Sequence, residues 1–186
     1  MRKNALLMGL TLVLFACNSV EKFRAPIEEL VGSWDTTTAA VTEFVGQLGA
    51  EQTKANNMLA QMTVPEDLAG KMDEAATAKV GELKASFTEQ LGSLSTLNET
   101  VTGFVSQWTE KAAEVNTLKE GLAAGKLSGD VMGQIADLKE MVASATTNLE
   151  GWKGSLAGIT NNLGGISQQF TTLLDGLASM ASKGKK

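Results

Sequence analysis

The single cysteine, Cys17, is the residue of this 186-residue chain whose side chain is best suited to covalent chemistry. The chain contains no histidine and no second cysteine. It therefore has no imidazole base or zinc ligand, no Ser-His or Cys-His nucleophile pair, no internal disulfide and no thiolate cluster for zinc or iron–sulfur. The sequence predicts a protein that is not an enzyme and that binds no cofactor.

Neighbouring carboxylates such as Glu28/Glu29 and Asp73/Glu74 are the other candidates for chemistry. Paired carboxylates can bind a metal or transfer protons when they converge on one point. Adjacent residues on a helix point about 100° apart, so these pairs do not share a face. We interpret them as solvated helix faces and predict neither a catalytic site nor a metal site.

Cys17 ends an apolar stretch that follows a short basic start. Arg2 and Lys3 precede residues 5–16, which are apolar apart from one threonine. A run of 12 residues is too short to cross a bilayer comfortably as a helix, but it fits the apolar region of a secretory signal peptide. The stretch closes with Leu14-Phe15-Ala16-Cys17, which places the cysteine at the expected cleavage boundary.

This closing motif resembles the lipobox of bacterial lipoproteins. Leu14 and Ala16 match the motif, whereas Phe15 is bulkier than the usual residue. The resemblance implies that residues 1–16 are a cleaved signal peptide, that the Cys17 thiol receives a diacylglyceryl group, and that the new amine is acylated, for example by palmitate. Two or three acyl chains would hold the protein firmly on a membrane. The alternatives are a plain secretory signal or a short membrane anchor that happens to contain a cysteine.

Asn18 and the overall charge bear on location and partners. Lipoproteins retained at the Gram-negative inner membrane commonly carry Asp after the cysteine, so Asn18 implies the outer membrane by resemblance. Removal of residues 1–16 would take away Arg2 and Lys3, leaving 14 of the 16 basic residues against 21 acidic residues and a formal net charge of −7. An acidic body argues against nucleic acid as a partner, because nucleic acid attracts concentrated Lys and Arg.

Apolar residues recur every seven positions over most of the chain, and we call each such series an apolar seam. Spacings of four and three residues place a seam along one stripe of a helix, the pattern of coiled coils and bundles. Two earlier seams are weaker, because the polar residues Glu51, Gln90 and Lys111 interrupt them. These three residues either form a buried network, set the register or face solvent. The clearest seam has fifteen apolar positions out of fifteen: Val131, Ile135, Leu138, Val142, Ala145, Leu149, Trp152, Leu156, Ile159, Leu163, Ile166, Phe170, Leu173, Leu177 and Met180.

Two breaks divide the seams into three helices. The sequence Thr63-Val64-Pro65-Glu66 combines an N-cap residue, an early-turn proline and a glutamate three residues after the cap, which predicts a helix end followed at once by a helix start. Four glycines between residues 121 and 133 indicate the second turn, since glycine costs about 1 kcal/mol per helical position relative to alanine. We predict helices near 20–62, 64–124 and 129–182.

The predicted fold is all-α: an elongated antiparallel three-helix bundle or coiled coil formed by residues 17–186 after a cleaved signal peptide. Short turns favour antiparallel neighbours. Because the first helix is shorter than the second, either one end of the bundle is two-helical or the second helix breaks near Gly92-Ser93. Intermolecular coiled coils are the alternative, because heptads do not fix the oligomeric state.

Three tryptophans, Trp34, Trp108 and Trp152, occupy seam positions. Folding about the two turns would bring them to neighbouring levels near the middle of the bundle. We interpret them as a bulky core layer. The alternative is an aromatic-lined pocket for an apolar ligand between the helices, although no converging polar group accompanies it.

The tail Ser182-Lys183-Gly184-Lys185-Lys186 is basic and would complement the last helical turn. Together with Cys17 and the heptads, it resembles Braun's lipoprotein, in which a lipidated cysteine, a heptad helix and a terminal lysine tether the outer membrane to peptidoglycan. The resemblance covers the two ends and the heptad style, since that protein is a far shorter single helix that forms trimers. It implies Lys186 as a candidate cell-wall attachment residue.

These observations support three functional hypotheses. The first is a non-enzymatic, lipid-anchored envelope protein that acts as a structural spacer or interaction scaffold, with another envelope protein or a second copy as its partner. The second is a carrier whose bundle opens to hold a lipid or another apolar ligand. The third is a peptidoglycan tether through Lys186.

Overall fold

The computed structural model describes residues 20–183. Its helices are α1 (Arg24–Gln61), the one-turn α2 (Glu66–Ala69), α3 (Glu74–Ala123) and α4 (Val131–Lys183), and this part of the chain contains no strand. The helices pack against one another, so the predicted all-α helical bundle is confirmed.

The described chain forms two compact units, and each of the three long helices contributes one segment to each unit. The first unit contains residues 20–42 and 103–149, and the second contains residues 43–102 and 150–183. Each unit therefore has its own three-helix core.

The core of the first unit consists of apolar residues at seam positions of α1, α3 and α4. An amphipathic helix cannot keep a single apolar stripe in water, and burial of each large side chain contributes about 1.5–3 kcal/mol. The connection of residues 124–130 is short, which makes α3 and α4 antiparallel neighbours. The buried cluster comprises Val20, Ile27, Leu30, Trp34, Trp108, Val115, Leu118, Leu122, Val131, Ile135, Leu138 and Ala145.

The core of the second unit follows the same rule. Gln90 accepts a hydrogen bond from Asn162 at 3.2 Å, whereas the earlier Ala76 lines a groove with the later Leu177, so α3 and α4 are antiparallel here as well. Its most deeply buried side chains include Phe44, Leu48, Ala55, Met62, Leu83, Phe87, Leu94, Leu163 and Phe170.

The second predicted helix, residues 64–124, is two helices in the structure. Pro65, not Thr63, is the N-cap of α2, and it makes no side-chain capping bond. Helix α2 ends after one turn at Gly70, and α3 begins beyond it, where Asp73 Oδ1 accepts a hydrogen bond from the Ala76 N–H at 2.7 Å. A glycine that weakens helix continuation and a carboxylate that caps the following turn therefore move the start of the long helix.

The proposed break near Gly92-Ser93 is wrong, because α3 is continuous from Glu74 to Ala123. Leu94, two residues further on and therefore on the opposite side of the helix, is fully buried, while a Cβ added at Gly92 would meet nothing within 4 Å. The glycine lies on the exposed face, so its cost of about 1 kcal/mol is outweighed by the packing of the opposite face.

The structure has the second turn at the predicted position, although α4 begins at Val131 rather than near residue 129. Gly125 and Gly129 have φ values of 66° and 77°, a region that favours glycine. Asp130 Oδ1 accepts a hydrogen bond from the Gly133 N–H at 3.0 Å, which caps α4.

The polar interruptions of the seams do not join into one buried network. Lys111 is exposed and pairs with Glu114, and the neighbouring Ala112 packs against the core in its place. Glu51 pairs at 3.4 Å with Lys54 on the same helix, and Gln90 is half-buried. Because the Lys111 side chain faces solvent, the apolar seam continues beyond this residue without burying its charge.

Candidate functional site

The two residues to which the sequence assigns attachment chemistry, Cys17 and Lys186, lie outside the described residues. The predicted lipidation site and the candidate cell-wall attachment site therefore stay predictions. Within residues 20–183, the candidate site residues are the tryptophans and the side chains that line the grooves between the helices.

Trp34 and Trp108 form a stacked pair in the first unit. Their ring centroids are 3.7 Å apart with an interplanar angle of 10°, and each residue is 4% exposed. The Trp108 Nε1–H donates to Thr38 Oγ1 at 2.8 Å, and the Thr38 hydroxyl donates to the Trp34 carbonyl oxygen at 2.8 Å. The two rings fill the space that an apolar ligand between them would need.

Trp152 belongs to the second unit, where it is half-buried and lies beside Phe44 with ring centroids 6.2 Å apart. The structure therefore brings Trp34 and Trp108 together and assigns Trp152 to a separate core. The heptad spacing identified all three as seam residues, but helical periodicity does not specify which aromatic ring each will meet.

A groove of about 490 Å³ lies between α1 and α4 in the second unit. Phe44 and Leu156 form part of its floor, and Lys153 and Glu51 are among its polar lining residues. Such a mixed lining differs from the largely apolar pockets that bind small molecules.

Three further grooves lie between α3 and α4 of the second unit, with volumes of about 550 Å³, 440 Å³ and 370 Å³. Lys79 lines all three, and Thr172 and Leu173 line the first and the last, so the grooves adjoin. None of these residues was predicted as a site from the sequence. One sequence feature pointed to this region: the α4 seam continues to Met180 and is longer than the first predicted helix, which ends near residue 62.

The charged side chains within residues 20–183 form no assembly suited to metal binding, since no group of three acidic residues there could hold an ion. The displaced pKa values belong to exposed pairs. A hydrogen bond from Arg24 lowers the pKa of Glu21, and a hydrogen bond to Glu114 raises the pKa of Lys111. In each pair the two residues are exposed and three positions apart in the sequence.

None of the helices in the described part of the chain is long and apolar enough to cross a membrane. Comparison with known proteins gives no match: no family model matches the chain, and no curated protein or solved structure matches it either.

Proposed function

We propose that this chain is a non-enzymatic, lipid-anchored protein of the bacterial cell envelope that acts as a structural spacer or interaction scaffold. The observation that carries the proposal is the sequence Leu14-Phe15-Ala16-Cys17 at the end of a basic and then apolar stretch. The helical bundle of residues 20–183 supports the scaffold role, because its apolar seams are used to hold helices together.

The physical basis of the anchor is acyl-chain burial. Each methylene that enters the bilayer contributes about 0.8 kcal/mol, so two or three chains on Cys17 would give stable attachment where one chain would not. The bundle would then stand at a membrane without a membrane-spanning helix of its own. By resemblance, Asn18 directs the protein to the outer membrane.

The proposal is tested by labelling the full chain with radioactive palmitate in a Gram-negative host and separating the inner and outer membranes. We expect the wild-type chain to carry the label in the outer-membrane fraction and Cys17→Ser to carry none. Ser19→Ala is the matched control and should behave as wild type, while Asn18→Asp should move the labelled protein to the inner membrane. A Cys17→Ser chain with unchanged labelling and fractionation would refute the lipid anchor.

A carrier of a lipid or other apolar molecule is the second candidate, favoured by the adjoining grooves between α3 and α4. Its test is mass spectrometry of the organic extract of the purified full chain. A stoichiometric lipid that Leu83→Asp removes, while the groove-edge variant Gln168→Ala retains it, would establish the carrier. An extract without lipid would leave the scaffold as the simpler function.

The peptidoglycan tether is tested at Lys186. After lysozyme digestion of isolated cell walls, a muropeptide joined to Lys186 that disappears in Lys186→Ala would establish the tether. A free carboxyl terminus on every molecule would eliminate it.

A further inference from the structure

The start of α1 and the turn of residues 124–130 lie at the same end of the first unit. Trp34 stacks on Trp108, about four turns before the end of α3. Glu29, nearer the start of α1, pairs with Lys139, about two turns after the start of α4. Because the short turn joins α3 to α4, the part of α1 that comes before Trp34 runs alongside the helix ends next to that turn.

The chain enters this end of the unit directly from the predicted lipidation site. Val20 belongs to the same buried cluster as Leu122 and Val131, which lie on either side of the turn. Cys17 precedes Val20 by three positions, and three residues of fully extended chain span at most about 11 Å. Acyl chains on Cys17 would therefore keep this end of the unit beside the lipid surface.

Three apolar side chains at this end are covered only in part, and we call Phe23, Leu127 and Met132 the anchor-side surface. Met132 in the first turn of α4 is 59% exposed, and Phe23 and Leu127 are half-buried where they pack against the core. Side chains on a helix lean towards its N-terminus, so Met132 leans towards the end of the unit rather than along its side.

The charges around the anchor-side surface are nearly balanced. Residues 20–24 and 124–133 carry three basic side chains against two acidic ones, namely Lys22, Arg24 and Lys126 against Glu21 and Asp130. Over the other residues of the unit, 25–42, 103–123 and 134–149, acidic side chains outnumber basic ones by eight to three. A negatively charged lipid surface therefore meets less repulsion at this end than along the rest of the unit.

Two lysines at this end are placed to contact lipid phosphates. Glu21 pairs with Arg24, and Asp130 caps α4, whereas Lys22 and Lys126 are both exposed. The Lys22 ammonium lies 4.7 Å from the centroid of the Phe23 ring, so its apolar stem runs beside the anchor-side surface. Lysine side chains of this kind cover apolar contacts with their stems while their charged ends reach the headgroups.

We propose that the anchor-side surface is the face with which the bundle rests on the lipid bilayer, with Leu127 and Met132 entering the headgroup region. The proposal rests on the lipid anchor proposed above and adds which side chains of the folded unit touch the membrane. The lipid surface is favoured over a second copy as the occupant, because the short chain between Cys17 and Val20 brings the membrane itself to this end.

Photo-cross-linking of the full chain tests this contact. The benzophenone amino acid p-benzoylphenylalanine replaces Met132 in one variant and Thr146 in the other. Thr146 is a matched control, because it is also exposed on α4, on the same side of the helix and about 21 Å farther along it. Each chain is made by cell-free translation without membranes, and its Cys17 thiol is coupled to a maleimide phospholipid in vesicles of phosphatidylethanolamine and phosphatidylglycerol.

After irradiation we expect at least about fivefold more lipid adduct at position 132 than at position 146, because side chains in contact with lipid meet it at a far higher effective concentration. Equal yields at the two positions would overturn the proposal. So would adducts at position 132 that join two copies of the chain in place of lipid.

Charge reversal separates contact from proximity to the anchor. In the chain with p-benzoylphenylalanine at position 132, Lys22→Glu/Lys126→Glu is compared with Lys71→Glu/Lys153→Glu, an exposed pair in the second unit with the same change of net charge. We expect the first pair to lower the lipid adduct at least about threefold and the second pair to leave it unchanged, because only the first faces lipid phosphates. Equal effects of the two pairs would contradict the contact.

Expression of the same variants in a Gram-negative host with radioactive palmitate distinguishes this result from the anchor itself. Palmitate on Cys17 without lipid adducts at position 132, in vesicles and in cell membranes, would refute the anchor-side surface and leave the anchor standing. Lipid adducts in the vesicles without palmitate on Cys17 would refute the lipid anchor and leave the surface standing. Helical circular dichroism checks that each variant is folded.

Discussion

Trp108 and Thr38 illustrate how much of the first core depends on one polar contact. The indole N–H of Trp108 is held among apolar groups and finds its acceptor in the hydroxyl of Thr38, which in turn donates to the Trp34 carbonyl oxygen. A buried donor that loses its acceptor costs about 1–3 kcal/mol, more than a typical hydrogen bond contributes. At the scale of single residues, this contact fixes the orientation of the stacked rings.

Replacing Thr38 by valine tests this contact. We expect Thr38→Val to lower the free energy of unfolding by about 1–2 kcal/mol in urea titrations followed by circular dichroism, because the Trp108 N–H loses its partner. Thr36→Val is the matched control: its hydroxyl donates to the Gly32 carbonyl oxygen at 2.8 Å, but it is exposed and touches no indole nitrogen. Equal losses in the two variants would contradict the assigned role of Thr38.

The ion pair of Glu21 and Arg24 gives a pH-dependent prediction. The hydrogen bond from Arg24 lowers the pKa of Glu21 below its usual value of 4.5. The stabilisation is therefore fully present above pH 4.5 and is lost as the pH falls through the lower folded-state pKa. We expect an NMR titration of the Glu21 carboxyl group to have its midpoint below 4.5, and Arg24→Gln to raise it. A midpoint at or above 4.5 in the wild-type chain would exclude the effect.

The helices tolerate glycine according to the face on which each glycine lies. A Cβ at Gly92 would meet nothing within 4 Å, whereas a Cβ at Gly121 would lie 2.9 Å from both Leu127 Cδ2 and the Lys126 carbonyl oxygen. At the scale of the element, Gly92 therefore only weakens α3, while Gly121 allows the chain to close the turn towards α4.

Alanine substitutions separate these two roles. We expect Gly92→Ala to raise the free energy of unfolding by about 0.5–1 kcal/mol through helix propensity. We expect Gly121→Ala to lower it, because backbone atoms of the turn would have to move. Thermal unfolding of the two variants measures the difference, and a change of the same sign in both would contradict the contact seen at Gly121.

Asp73, which caps α3, and Thr63, the cap that the sequence favoured before α2, make a similar pair. We expect Asp73→Ala to lower the free energy of unfolding by about 1 kcal/mol, because the first turn of α3 loses its side-chain acceptor. Thr63→Ala changes the residue that the sequence pattern favoured as a cap, and we expect a smaller effect, since the structure has Pro65 as the N-cap there. If Thr63→Ala proves the more damaging of the two in chemical denaturation, the sequence-based cap is the correct one.

The positions of the caps show what short-range patterns can and cannot predict. Thr63 and Glu66 have the spacing of a capping box, and Asp73 also precedes a helical run, so the sequence contains two competing starts. A helix follows each of them, but the first, α2, has Pro65 rather than Thr63 as its N-cap and lasts only one turn before Gly70. Leu68, in that single turn, is 7% exposed, and a short-range pattern does not specify this burial.

The charge of the whole molecule makes a further prediction about partners. With 21 acidic and 16 basic residues, the chain should repel the phosphate backbone over most of its surface. We expect no mobility shift of duplex DNA or of single-stranded RNA at low salt. A complex that weakens steeply as salt is added would show that the lysines at the end of the chain form a binding surface of their own.

The all-α class, the apolar seams and the turn at Gly125 and Gly129 can be predicted from the sequence, because periodicity and backbone preference are local properties. Packing between distant helices sets the remaining features: Trp34 stacks on Trp108, Trp152 lies beside Phe44, and Met180, the last seam residue, is exposed. A heptad pattern predicts which face of a helix is buried. It does not predict which distant helix covers that face, or where that helix ends.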